Sequence, residues 1–224
     1  MALLTDVDKT RLTNDFAAMT RPVRLLFFTQ DDAGEPCANT RHVLAELPAL
    51  SDRITMEEID RTQRPEIANR YGIDRAPGIA LVGHDASGQE RDSHIRFLGT
   101  PWGYEFLSLV KAILLVGGGA STLSDESRAR LARIDKPISM HVFSTPTCPQ
   151  CPRAVTLAHE IAFANANVTA YGVEATEFPD LARQYHVTGV PKIVINDQVE
   201  ILGAVPEDHL VEQTLAGFEA GLHA

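Results

Sequence analysis

Apolar positions along this chain fall into short dense runs and longer helical series, and the two kinds alternate. Residues 23–28, 79–82, 138–143 and 193–195 are rich in β-branched or aromatic side chains, and they predict strands. Residues 65–70 and 179–184 each begin with proline, which the first position of a helix tolerates, and they predict short helices. Residues 154–163 carry a longer helical pattern, and 106–116 is the longest apolar stretch. The resulting order is strand, helix, strand, helix, strand, strand, helix, and it occurs twice. Strands separated by helices are expected to run parallel, and the closing pair, joined by a short turn, antiparallel. The expectation is an α/β protein whose mixed sheets are flanked by helices.

The repetition is explicit in the residues. Pro65-Glu-Ile-Ala-Asn-Arg-Tyr71-Gly-Ile73-Asp-Arg-Ala-Pro77 recurs 114 positions later as Pro179-Asp-Leu-Ala-Arg-Gln-Tyr185-His-Val187-Thr-Gly-Val-Pro191. Two units follow, 1–118 and 119–224, with Gly117-Gly-Gly-Ala-Ser-Thr-Leu-Ser124 as the linker and 125–134 as a leading helix of the second. The same offset sets Cys37 against Cys151 and Gly34 against Cys148. The first unit thus keeps the second position of a cysteine pair and lacks the first. Upstream, Arg21-Pro22 matches Lys136-Pro137 at an offset of 115, so the loop before Gly34 is one residue longer in the first unit.

The chemistry falls in the second unit. Phe143-Ser-Thr-Pro-Thr-Cys148-Pro-Gln-Cys151-Pro152 places two cysteines between a strand and a long helix. Unpaired N–H groups and the helix dipole at such a terminus favour thiolate over thiol, which makes Cys148 a nucleophile. A zinc centre fits poorly: it needs four ligands, the chain has three cysteines, and His159 lies more than two helical turns beyond Cys151. No metal and no cofactor is expected. No Gly-rich dinucleotide fingerprint of the GxGxxG type is present, so electrons have to come from a separate reductase.

Charge and the amino terminus bear on partners. A formal net charge of −10 disfavours nucleic acid and anionic membranes, both bound mainly through Lys and Arg. No secretory signal is visible at the amino terminus, and 106–116, which contains Lys111, is too short to span a bilayer. A cytoplasmic protein is expected, a setting in which a CxxC more often does redox chemistry than holds a fold together.

Cys148-Pro-Gln-Cys151 after a strand, Val190-Pro191 before another, and the pairing of two such units resemble the thioredoxin superfamily. More closely, nearly the whole chain resembles the two-domain protein disulfide oxidoreductases, or glutaredoxin-like proteins. With one CxxC instead of two, it is also similar to the amino-terminal segment of the alkyl hydroperoxide reductase flavoproteins. The resemblance implies two tandem thioredoxin-like units, the first with a degenerate site, and a cis Pro191 facing the dithiol. It also implies that the Val190 backbone pairs with a substrate chain.

The expected activity is thiol–disulfide exchange on protein disulfides. Cys148 attacks, Cys151 resolves the mixed disulfide, and Pro149 and Gln150 help set the redox potential. A thioredoxin-reductase-type flavoprotein is the expected donor, and the flavoprotein resemblance suggests a peroxiredoxin as one acceptor. Glutathione is a less favoured reductant, because Gly203-Ala-Val-Pro-Glu207 stands where glutaredoxins carry Gly-Gly and an acidic residue. Glu174 either takes the Cys151 proton or is a solvated strand-end carboxylate. Lys192 is expected to be exposed, or to lower the thiol pKa if it points inward; His141 is expected to be packed, and His159 to lie on the outer face of its helix. Trp102 is expected to serve in interdomain or helix-cap packing. The alternative from another class is a module that holds a metal or a client through its thiols without turnover.

Overall fold

In the computed structural model, which describes residues 4–30 and 34–221, both halves build the same series. The first comprises α1 (Asp6–Phe16), β1 (Val23–Thr29), α2 (Gly34–Ala45), β2 (Ile54–Asp60), α3 (Pro65–Arg70), β3 (Gly78–His84), β4 (Glu90–Leu98) and α4 (Phe106–Val116). The second comprises α5 (Asp125–Leu131), β5 (Ile138–Ser144), α6 (Cys151–Ala164), β6 (Val168–Glu174), α7 (Pro179–Gln184), β7 (Lys192–Ile195), β8 (Val199–Leu202) and α8 (Glu207–Ala220). Short 3₁₀ turns occupy Pro48–Leu50 and Gly103–Glu105. The one-residue insertion expected before Gly34 falls on 31–33, outside the described residues. The strand–helix pattern passed over α1, whose signal is a capping box: Thr5 Oγ1 accepts from Asp8 N, and Thr5 N donates to Asp8 Oδ2.

β1 and β2 run parallel, as do β5 and β6, and the hairpins β3–β4 and β7–β8 are antiparallel. The third strand of each unit departs from the parallel expectation, since β3 is antiparallel to β1 and β7 to β5. Length explains the departure. Six helical residues rise only ~9 Å, while seven strand residues span ~23 Å, so α3 cannot carry the chain back to the start of the sheet. β3 therefore begins at the end where β2 finishes.

The two sheets are one. β4 pairs in parallel with β6, from Ile95↔Ala170 to Leu98↔Val173, giving eight strands in the order β2-β1-β3-β4-β6-β5-β7-β8. Leu25, Phe27, Met140 and Val142 face a core shared with α2, α4, α6 and α8, while Leu26, Phe28, Phe143 and Val194 face α3 and α7. Strands covered on both faces need apolar side chains at successive positions, which accounts for the unbroken Leu25-Leu-Phe-Phe28 run. α6 lies over the joint, packed against β4 and α4 of the first unit as well as its own strands. Among the described residues, no helix is long and apolar enough to cross a membrane.

Candidate active site

The turn 145–150 carries the chain from the end of β5 to the start of α6. Cys148 and Cys151 are joined as a disulfide with Cα atoms 5.5 Å apart. Helix α6 begins at Cys151 itself, earlier than the apolar pattern indicated, so Cys148 sits in the turn just before it. Gln150 at the cap position makes no side-chain capping bond, and Pro152 supplies no N–H. The Cys151 N–H is directed at Cys148 Sγ, 3.2 Å away. A thiolate on Cys148 is the charge that this N–H and the helix dipole stabilise. Cys148 is at the border of exposure and Cys151 is fully buried, while Pro149 and Gln150 are exposed.

Two other stretches reach the same end of the sheet. The Val190–Pro191 bond is cis, as the resemblance implies, and Lys192 pairs with Phe143, which sets Pro191 level with the last residue of β5. Val190 is half-buried. Glu174 closes β6 opposite Ser144 and is buried, so the solvated alternative does not hold. Its carboxylate accepts from Thr176 Oγ1 and from Glu177 N.

The first unit contributes directly. Tyr104 N donates to the Pro146 carbonyl, and Thr100 N donates to Glu177 Oε2 at 3.0 Å. Gly103 adopts a φ of 60°, and a Cβ there would collide with the Pro146 carbonyl oxygen. Replacing Gly103 by alanine is expected to push the 3₁₀ turn off the 145–147 loop and to destabilise the fold by about 1–3 kcal/mol. A melting temperature unchanged in Gly103→Ala would contradict this close approach.

Next to Gly103 is Glu105, which sequence reasoning missed. It is buried, its Oε1 has no hydrogen-bond partner, and it lines a small cavity with Ser144, Pro146 and Glu174. Burial pushes its pKa up to about 7, with the Ser108 hydroxyl acting in the opposite direction. A carboxylate at the head of the mostly apolar 106–116 stretch was the available signal.

Lys192 and His159, expected at the surface, are both interior. Lys192 is buried: its Nζ donates to the Tyr185 and His186 carbonyls at the C-terminal end of α7 and pairs with Glu200. A cation there meets the negative end of a helix dipole. His159 is also buried, with Nε2 3.2 Å from the Arg96 carbonyl oxygen and its ring edge-on to Phe97. The face that is outer in one unit is inner in the pair, because β4 and α4 cover it. Burial pushes its pKa down to about 3 and keeps it neutral. Trp102 does precede the 3₁₀ turn as its cap residue, yet its side chain is 52% exposed, beside the exposed Tyr104 and Leu107. His141 is packed as expected, stacked between Tyr171 and Tyr185.

Cys37 lies inside α2, buried, and burial raises its thiol pKa. A thiol so placed is a poor nucleophile. Cys37→Ser is expected to leave turnover within about twofold of the parent. A loss of tenfold or more at saturating reductase would make Cys37 part of an electron relay.

Comparison with known proteins agrees with this geometry. The thioredoxin domain family model matches residues 138–216. Thioredoxin of Methanocaldococcus jannaschii is 38% identical over 78 residues, covering 34% of this chain and 89% of that protein. The F subunit of the alkyl hydroperoxide reductase of Xanthomonas campestris pv. phaseoli is 27% identical over 203 residues, or 91% of this chain. The match takes in 35% of that protein, so the chain spans about a third of the length of this relative. The crystal structure of the NTD_N/C domain of alkylhydroperoxide reductase AhpF from Enterococcus faecalis superposes with a TM-score of 0.84 at 29% identity, covering 93% of this chain and 98% of that one.

Proposed function

Since this chain belongs to the thioredoxin superfamily and its Cys148–Cys151 pair carries out dithiol–disulfide exchange, we propose that it relays electron pairs from a flavoprotein reductase to protein disulfides, a peroxiredoxin's among them. The observation that carries the dithiol part is the Cys151 N–H aimed at Cys148 Sγ at the head of α6. The partner part is supported by similarity, across 91% of the chain, to the alkyl hydroperoxide reductase of Xanthomonas campestris. The reductase is of the thioredoxin-reductase type and linked to a nicotinamide. The cytoplasm is the compartment that fits a dithiol kept reduced, and neither nucleic acid nor membrane is a partner of a chain with net charge −10.

The exchange has two steps. Cys148 thiolate attacks one sulfur of the substrate disulfide, forming a mixed disulfide and releasing the other sulfur as thiolate. Cys151 then loses its proton and attacks Cys148 Sγ, which closes the intramolecular disulfide and frees the second substrate thiolate. Two electrons pass to the substrate. We infer that the acceptor of the Cys151 proton is Glu105, buried and without a partner at Oε1, in preference to Glu174, whose carboxylate is already taken by Thr176 and Glu177 on the other side of the small cavity the two share. Pro191 and the Val190 backbone receive the substrate chain, and the exposed Pro149 and Gln150 set the potential. The catalytic unit is 119–224, and the unit 1–118 supplies the acceptor.

Stopped-flow mixing of the reduced protein with an oxidised peroxiredoxin from the same cell tests the partner. Reduction of insulin without reduction of the peroxiredoxin would overturn the relay and leave the exchange chemistry standing.

A further inference from the structure

A polar seam divides α4 from α6. Buried polar atoms that make no well-formed hydrogen bond include Glu105 Oε1, Ser108 Oγ, Thr156 Oγ1 and His159 Nδ1, although the Ser108 hydroxyl is near enough to the Glu105 carboxyl to act on its pKa. Leaving such an atom unpaired costs about 1–3 kcal/mol. Ser108 follows Glu105 by three residues and Thr156 precedes His159 by three, so each pair lies on one face of its helix. Ser108, Thr156 and His159 also line one groove of about 760 Å³ between the two helices, which opens to solvent beside the exposed Lys111 and Arg153. His159 Nε2 is directed at the Arg96 carbonyl, and a neutral ring that donates there presents Nδ1 as an acceptor. Further along the same contact, Ala112 and Leu115 show that apolar side chains fit between these helices. The groove thus sets Ser108, Thr156 and His159 among apolar side chains that do not fill it.

We propose that this seam is the route by which the proton taken from Cys151 leaves Glu105 for solvent, with Ser108 as the first relay and Thr156 and His159 Nδ1 ordering water behind it. The proposal rests on Glu105 as the acceptor. After Cys151 Sγ–H gives its proton to the Glu105 carboxylate and the thiolate closes the disulfide, a neutral carboxyl remains in a buried site. It has to lose that proton before the next turnover. The Ser108 hydroxyl accepts it while passing its own to water in the groove, so no net charge is left on the serine. The ionisable groups on the elements packed around Glu105 include Tyr104 in its own turn, Arg96 on β4, Lys111 on α4, Arg153, His159 and Glu160 on α6, Glu174 at the end of β6 and Glu177 just beyond it, bonded to Thr100 N. Glu160 is held by Ser121, Thr122 and Leu123, and Glu174 by Thr176 and Glu177, so neither offers a free exit. A buried polar lining is also what a bridging water requires.

The test follows the two steps separately in the whole chain, by rapid quench against a disulfide peptide in water and in D₂O. Ser108→Ala is expected to slow repeated resolution about tenfold, a share of the 10²–10⁴ that acid–base catalysis supplies, and to enlarge the solvent isotope effect on that step. Formation of the mixed disulfide stays at the parent rate. Thr156→Val is expected to show a smaller effect of the same kind, and Thr156→Ser, which keeps the hydroxyl, to restore it. Resolution at the parent rate in Ser108→Ala while Glu105→Gln is slow would overturn the seam and leave Glu105 as acceptor. Equal slowing of both steps would also overturn it, because that marks general damage. Parent resolution in Glu105→Gln removes the acceptor and the seam together, while the dithiol exchange stands on Cys148→Ser alone.

Discussion

Cys148→Ser abolishes disulfide reduction, and Cys151→Ser halts the reaction with the substrate still bound to Cys148 as a mixed disulfide. Both results are expected from the placement of the two sulfurs. Cys148 sits at the border of exposure with the Cys151 N–H directed at it, so its thiolate is available to attack. Cys151 is fully buried and meets only a sulfur already delivered to Cys148. Removing a nucleophile lowers turnover by roughly 10³-fold or more. Insulin turbidity reads the first variant, and non-reducing mass spectrometry the second. Alkylation of the reduced protein should show one thiol titrating well below the other. Equal alkylation rates with both thiols near the ordinary ~8.5 would remove the distinction between attacker and resolver.

Glu105→Gln is expected to lower turnover by about 10²-fold and to stabilise the protein at the same time. The sign of each follows from the raised pKa. In its acceptor role Glu105 must be ionised, so resolution speeds up as pH rises through about 7 and then levels off, and the glutamine variant loses that rise. For stability, a carboxyl whose folded pKa lies above its ordinary 4.5 favours the protonated folded state, an advantage lost as pH rises from 4.5 through about 7. Above pH 7 the parent therefore bears the full burden of a buried charge, roughly 3 kcal/mol, which the neutral amide avoids. Denaturant melts at pH 5 and pH 8 check this. A variant no more stable than the parent at pH 8, with an unaltered pH–rate profile, would show Glu105 to be an ordinary buried side chain.

The site was legible where its chemistry is local. Cys148-Pro-Gln-Cys151 between a strand and a helix, and Val190-Pro191 before another strand, are short stretches whose backbone requirements leave marks in adjacent residues. The repeat was legible because the same helix–turn–proline segment is built twice. What stayed hidden depends on the joining of the units. Nothing periodic in 90–98 or 168–174 announces that β4 pairs with β6, and that pairing turns the outward face of α6 into an interior one and buries His159. Lys192 departs from its expected exposure for a related reason: the carbonyls that hold it come from the end of α7, a partner set by tertiary packing. Glu105 reaches the second unit's loop across the same joint, 43 residues before Cys148.

The dithiol exchange itself is tested most directly by counting thiols. The fully reduced protein, mixed without oxygen with an excess of oxidised insulin, is alkylated and mapped by mass spectrometry. Of the three thiols present at the start, those of Cys148 and Cys151 are predicted to be consumed and that of Cys37 retained, with two insulin thiols formed per chain. Three intact thiols, unreduced insulin and one tightly held zinc per chain would contradict exchange and mark a binding module instead.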